Sequence, residues 1–275
     1  MRKIAIANMK GGVGKTTTSV NLAVGLAMQD QRVLLVDMDP QGNVAHSLKI
    51  RASQNTVFDL MADDMVLENV IRRQVRPNLD VIPSNNLAFG LENRLAGETL
   101  REKIFARRMR HVTDYNYVIV DTSPAMSLLT VNTLLYVEKV ILVVSMDQMA
   151  LIGAVQSLAG LKRVLSVFES PALDIYVLPT IYNASTNGSR ETLAALKDDP
   201  DLGPYLLPLY IRQDVKVSYS AASKKSIWEY DPRTRAAEDY SRLVEFFLEG
   251  KEVDFCAGKD KADAVPETEQ IAAQA

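Results

Sequence analysis

The octet Lys10-Gly11-Gly12-Val13-Gly14-Lys15-Thr16-Thr17 follows directly on the apolar run Lys3-Ile4-Ala5-Ile6-Ala7-Asn8, and it constrains the fold more than any other stretch. A β-branched run, then glycines, then Lys-Thr opening a helical pattern through Leu22, Val24 and Leu26 predicts a strand, a phosphate loop and a helix. Glycines let the backbone turn several N–H groups onto one anion, and the helix N-terminus adds its positive dipole end. The ligand is therefore a polyphosphate. Within the frame G-x-x-x-x-G-K-[ST], Gly14-Lys15-Thr16 is intact, which assigns Lys15 to the β/γ-phosphates and the Thr16 hydroxyl to Mg²⁺. Met9 stands where the strict pattern has its first glycine, and Lys10 adds a second lysine. On spacing alone Lys10 is either a solvated loop charge or a second phosphate contact, a role that suits the point charge of an ammonium.

This octet resembles the deviant Walker A motif of the ParA/MinD family of ATPases. The resemblance implies that Lys10 is the signature lysine, which reaches across a nucleotide-sandwich homodimer to the partner's phosphates. It also implies that Gly11, Gly12, Val13, Gly14, Lys15, Thr16 and Thr17 cradle ATP, with Lys10 and Lys15 serving the chemistry.

Two further strand ends carry carboxylates. Val33-Leu34-Leu35-Val36 is a continuous apolar run of buried parallel-strand type, followed by Asp37-Met38-Asp39-Pro40-Gln41-Gly42-Asn43. Open α/β sheets bind ligands at such carboxyl ends. The pair is either a turn with an Asx cap or, beside a phosphate loop, a device for Mg²⁺ and water. The string is similar to the family's switch I, which implies that Asp39 polarises the hydrolytic water and Asp37 supports the metal site. Tyr117-Val118-Ile119-Val120 ends in Asp121, which fits a Walker B residue sharing the Mg²⁺ shell with Thr16. Thr16, Asp39 and Asp121 are thus the expected metal set. Asp121-Thr122-Ser123-Pro124 is close to the family's switch II, with Ser123 departing from its commonest form.

The remaining chain alternates strand and helix patterns. Strands are expected at Leu79–Pro83, Val140–Val144, Ile175–Pro179 and Tyr205–Leu209, and helices near Val57–Met61, Leu87–Leu95, Leu100–Met109, Leu151–Phe168 and Arg190–Leu196. A closing helix is expected through Ala236, Tyr240, Leu243 and Phe247. Such alternation predicts an α/β fold: one doubly wound, mostly parallel sheet flanked by helices over residues 1–250. Residues 251–275, with three lysines against six acids and few large apolar residues, predict a polar, disordered tail that is either solubilising or partner-binding.

With 31 basic and 34 acidic residues and 47% hydrophobic content, the chain reads as a soluble globular protein in which a sizeable core can form. A single cysteine, Cys256, excludes an intrachain disulfide and a cysteine-based metal cluster, in keeping with a reducing cytoplasm. The first strand begins too early for a signal peptide, and no apolar run approaches the length of a transmembrane helix. His46 and His111 stand apart from other ligand-type residues and read as surface or packed histidines. The basic stretch 101–110 is either a solvated helix face or an auxiliary DNA or partner surface. Trp228 reads as a packing residue.

Residues 211–240 resemble the C-terminal segment of ParA proteins, with Lys216 in place of a family arginine. The resemblance implies non-specific DNA contacts by Arg190, Arg212, Lys216, Lys224 and Lys225, with Arg233 and Arg235 nearby; the alternative is a partly paired, solvated surface. Phosphate neutralisation needs only several cations along a face, and a two-fold dimer doubles them.

The expectation is a cytoplasmic, nucleoid-associated ParA-like ATPase using ATP and Mg²⁺. Its partners would be a second copy, DNA and a ParB-like or cargo-adaptor activator, with no membrane. Its cargo would be a chromosome, a plasmid or a protein assembly. A nucleotide-gated scaffold recruiting a partner is the alternative. A MinD-like positioning role is a further one, disfavoured because the chain ends in an acidic tail where that group carries a basic amphipathic helix. GTP is disfavoured because no Asn-Lys-x-Asp motif occurs.

Overall fold

A computed structural model describes residues 1–51, 55–147 and 149–249. The tail at 251–275 and Cys256 lie outside these residues.

The first half runs β1 (Arg2–Ala7), α1 (Lys15–Met28), β2 (Val33–Met38), α2 (Asn43–Ser47), α3 (Val57–Ala62), α4 (Leu67–Val70), β3 (Arg72–Arg76) and β4 (Leu79–Ile82). It continues through α5 (Leu91–Arg94), α6 (Ile104–Arg108), β5 (Tyr117–Thr122), α7 (Leu128–Leu134) and β6 (Lys139–Ser145). The remainder is α8 (Ala150–Val167), β7 (Asp174–Thr180), α9 (Asn187–Asp198), α10 (Val215–Ala222), α11 (Ile227–Tyr230) and α12 (Arg235–Glu249).

The strands form one seven-stranded sheet in the order β3-β4-β2-β5-β1-β6-β7, parallel except for the edge strand β3. Alternate side chains along each strand feed two cores. Ile4, Ile6, Val33 and Leu35 pack under α1 and α12, whereas Ala5, Ala7, Leu34 and Val36 face the layer that includes α7 and α8. The sheet is covered on both faces, which is why its central strands are apolar throughout. β1 lies between β5 and β6, so the carboxyl ends of β1, β2, β5 and β6 open onto one crevice. The expected doubly wound α/β sheet is the observed one.

Four details differ from the sequence expectations. Tyr205–Leu209 is not a strand: Gly203–Tyr205 forms a 3₁₀ turn, and only an isolated bridge joins Leu206 to Val177. Pro204 and Pro208 lack the N–H groups that a ladder needs. The two helices expected at 87–95 and 100–109 each split into a 3₁₀ turn followed by a short α-helix. β3 was not anticipated, because Arg-Arg-Gln-Val-Arg carries no apolar alternation, a composition common on exposed sheet edges. Finally, α8 is long and apolar enough by length and composition to cross a membrane, contrary to the expectation that no run approaches that length. Its Ala154, Leu158 and Leu161 nevertheless join the core, and it carries Lys162 and Arg163.

Candidate nucleotide site

The phosphate loop links β1 to α1 and is held from several sides. Gly12 and Gly14 have φ values of 77° and 91°, a region that costs residues with a Cβ, and Gly14 is the N-cap of α1. Val13 is buried, and its carbonyl accepts a hydrogen bond from Thr180 Oγ1 at the end of β7 (2.8 Å). Asn8 Nδ2 donates to the Val143 carbonyl (2.7 Å), and Asn8 Oδ1 receives the Lys10 N–H (2.7 Å). Ser157 of α8 receives the Met9 N–H at 2.9 Å. The loop is therefore fixed to β6, β7 and α8.

Lys15 lies under this loop, its Nζ donating to the Lys10 carbonyl (2.8 Å). Burial lowers its pKa, against the attraction of Asp121 and Asp39. Thr16 Oγ1 donates to Asp121 Oδ2 and Ser19 Oγ to Asp121 Oδ1, each at 2.7 Å. Burial nevertheless pushes Asp121 up to about 6. Asp37, paired in register with Asp121, is also fully buried, and burial raises its pKa well above the ordinary carboxylate range, with the Asp121 charge adding to the shift. Asp37 accepts the N–H groups of Asp39 (2.9 Å) and Val44 (3.2 Å) and so shapes the turn that carries Asp39. Asp39 in turn accepts the Gln41 N–H at 3.0 Å.

Buried negative charge here exceeds what Lys15 alone balances, and a hydroxyl stands against a carboxylate at the mouth of the phosphate loop. That donor set fits Mg²⁺, which takes few protein ligands and completes its shell with phosphate oxygens and water. Among the described residues no cluster of three or more His, Cys, Asp or Glu side chains forms a closed metal cage. His46 and His111 are both exposed. Ser19, which the sequence reading passed over, is the second hydroxyl on Asp121; its place one helical turn after Lys15 was the available signal.

Beside the loop lies a cavity of about 290 Å³ lined by Gly12, Thr17, Thr180, Ile181, Gln213 and Val215 among others. Its position next to the glycines suits the nucleoside end of a nucleotide, with Ile181 and Val215 as apolar walls. Sequence reasoning missed it because its walls come from the β1–α1 loop, the end of β7, the stretch that leads into α10, α10 itself and α12.

The candidate DNA residues are scattered in circumstance. Arg212 forks onto the buried Asp239 (Nη2 to Oδ1, 2.7 Å) and onto Glu238, which raises its pKa. Lys216 pairs with Asp231 at 2.7 Å, and Arg190 bonds the Ala184 carbonyl and Asn187. Lys224 and Lys225 are exposed beyond the end of α10, and Arg233 and Arg235 are exposed as well. Trp228 packs against Tyr240, with Nε1 directed to Ser241 Oγ.

A parallel sheet with a glycine loop, Lys-Thr at a helix start and carboxylates at the neighbouring strand ends defines a P-loop nucleoside-triphosphate-binding protein. Residues 1–175 match the family model described as AAA domain. Over 244 residues the chain is 36% identical to the sporulation initiation inhibitor protein Soj of Bacillus subtilis, covering 88% of this chain and 96% of that one. It is 33% identical over 252 residues to the chromosome partitioning protein ParA of Caulobacter vibrioides, covering 89% and 92%. Among solved structures, the cobyrinic acid a,c-diamide synthase of Mycobacterium smegmatis with bound ADP and magnesium superposes with a TM-score of 0.79 at 27% identity, covering 97% of this chain and 100% of that one. The chain belongs to the ParA/MinD family of P-loop ATPases. Nucleotide binding with magnesium is found in this kind of fold, and nucleotide hydrolysis is the general chemistry of the family.

Proposed function

We propose that the chain is a cytoplasmic, nucleoid-associated ATPase that positions or segregates a cargo by cycling between a free state and an ATP-bound, DNA-bound homodimer. The observation that carries this reading is the division of labour between two loop lysines. Lys15 is buried beneath its own loop, whereas the Lys10 side chain is partly exposed, which supports a reading in which it meets phosphates outside its own subunit. The Soj and ParA relatives support the positioning role. Gly11, Gly12, Val13, Gly14 and Thr17 would cradle the phosphates, and Thr16 and Asp121 would hold Mg²⁺, which neutralises charge on the transferred phosphoryl group. Asp39 would orient the attacking water, its turn fixed by Asp37. DNA would be gripped without base readout by cations such as Lys224 and Lys225, doubled by dimerisation.

The test is an electrophoretic shift with no nucleotide, ADP, ATP or a slowly hydrolysed ATP analogue, for wild type, Lys10→Ala and Asp39→Ala. A shift with ATP or its analogue that Lys10→Ala loses, together with a shift by Asp39→Ala that persists because hydrolysis stops, supports the cycle. No shift under any nucleotide at low salt removes DNA from the reading.

A further inference from the structure

The ammonium of Lys10 has a counter-ion within its own chain: Nζ lies 2.5 Å from Asp147 Oδ1. Asp147 follows β6, and its carboxylate is held independently of the lysine. Ser145 Oγ donates to Oδ2 at 2.6 Å, and the Met149 N–H donates to Oδ1 at 3.1 Å. Its backbone is tied on both sides as well, the N–H to the Ser145 carbonyl and the carbonyl to the Ala150 N–H at the start of α8, both at 2.9 Å. Across from it, the stem of Lys10 passes Gly153 of α8, where a Cβ would sit 3.5 Å from Lys10 Cβ and 3.7 Å from Cδ. The glycine leaves the helix surface low where the stem crosses it. The Lys10 backbone is equally fixed, with its N–H on Asn8 and its carbonyl receiving Lys15.

The side chain of Lys10 is thus the movable member of a pair whose other member is rigid. When it leaves, Asp147 keeps two donors and, being half exposed, water. Opening the pair strands no buried charge, so the cost is that of a partly exposed ion pair rather than of a buried one.

We propose that Asp147 is a positioning residue that holds Lys10 to its own subunit until nucleotide draws it across to a partner's phosphates. This rests on the reading of Lys10 as the lysine that crosses the dimer. Asp147 then sets the nucleotide concentration at which two copies associate. It competes with the phosphates for one ammonium, and it keeps that ammonium away from its own loop in the free chain. The lowered pKa of Asp147, to which the Lys10 hydrogen bond contributes, agrees with an intact pair at neutral pH.

Sedimentation velocity of the full chain across a titration of Mg²⁺ and a slowly hydrolysed ATP analogue tests this. Asp147→Asn keeps the shape and an acceptor for Ser145 but weakens the pull on Lys10. It should self-associate at roughly two- to five-fold lower analogue concentration than wild type, the range that a partly exposed ion pair commands. Asp147→Glu should restore the wild-type midpoint, which a merely structural role of the turn would not do. Lys10→Ala should remain monomeric, and adding Asp147→Asn to it should change nothing. If Lys10→Ala is monomeric but Asp147→Asn associates no more readily than wild type, the holding role of Asp147 is overturned and the crossing role of Lys10 stands. If Lys10→Ala associates like wild type, the crossing role itself falls and the inference with it.

Discussion

Asp37 and Asp121 stand side by side in register on β2 and β5, both fully buried, and the Lys15 ammonium offsets part of the Asp121 charge. Burial disfavours the charged form of each member of the pair. Asp121 has a folded pKa of about 6 against an ordinary 3.8, so between these values the folded chain binds more protons than the unfolded one. Its contribution to stability therefore falls as pH rises from about 4 to about 6 and stays low above that. Asp121→Asn, whose amide oxygen can accept one of the two hydroxyls while the other rotates to accept from its NH₂, should be more stable than wild type by roughly 1–3 kcal/mol at neutral pH in EDTA without nucleotide. The advantage should shrink towards pH 4 and should come with loss of Mg²⁺-dependent nucleotide binding. Thermal melts of both proteins across this pH range check it; a less stable variant at pH 7 contradicts it.

Gly42 closes the turn that carries Asp39. Its φ is 67°, and a Cβ there would lie 2.9 Å from the Ser84 carbonyl oxygen. Gly42→Ala must shift one of two backbones, which should cost about 1–3 kcal/mol. Single-turnover hydrolysis should slow by an order of magnitude or more, following about 1.4 kcal/mol per decade, while nucleotide affinity stays near wild type because the phosphate loop is untouched. Equal losses in binding and hydrolysis would count against this separation.

Gly25 in the middle of α1 is silent in the sequence, yet Val244 and Trp228 pack directly over it. A Cβ there would meet Val244 Cγ2 at 2.5 Å and Trp228 Cη2 at 2.7 Å. Gly25→Ala should destabilise by about 1–3 kcal/mol through overpacking, despite the better helix propensity of alanine, and should shift the fluorescence of Trp228. Gly97→Ala, with nothing within 4 Å of its Cβ, should stay within about 0.5 kcal/mol of wild type in the same denaturant titration.

Arg212 and Lys224 should separate cleanly when both are tested for DNA binding. Removing the Arg212 guanidinium leaves Asp239, only 1% exposed, with the backbone N–H of residue 212 but no countercharge, so Arg212→Ala should lose about 3 kcal/mol of stability. Lys224→Ala and Lys225→Ala should leave the melting temperature unchanged while the double variant weakens DNA binding and lowers its salt slope by about 2. A wild-type melting temperature for Arg212→Ala would show that the Asp239 pair is not structural.

The short-range features were legible in the chain. Glycines at positive φ, a β-branched run ahead of them, Lys-Thr at a helix start and aspartates closing two apolar runs are all local statements about backbone conformation and burial. The sites they mark come together because parallel strands end on one side of the sheet. Tyr205–Leu209 misled for a local reason, since apolar content outweighed the two prolines, and β3 was invisible because an exposed edge strand needs no apolar alternation.

By itself the sequence determined the phosphate loop, the aspartates that close two apolar runs, and the α/β class, because each follows from residue type and spacing within a few turns of chain. Only the tertiary structure decided that Ser19 shares Asp121, that Thr180 pins the Val13 carbonyl, that Arg212 is bound to Asp239, and that Asp147 holds Lys10. These contacts join residues that are 102, 167, 27 and 137 positions apart, respectively. Strand order and helix packing set such distances, and hydrogen bonds and ion pairs of this reach leave no trace in local pattern.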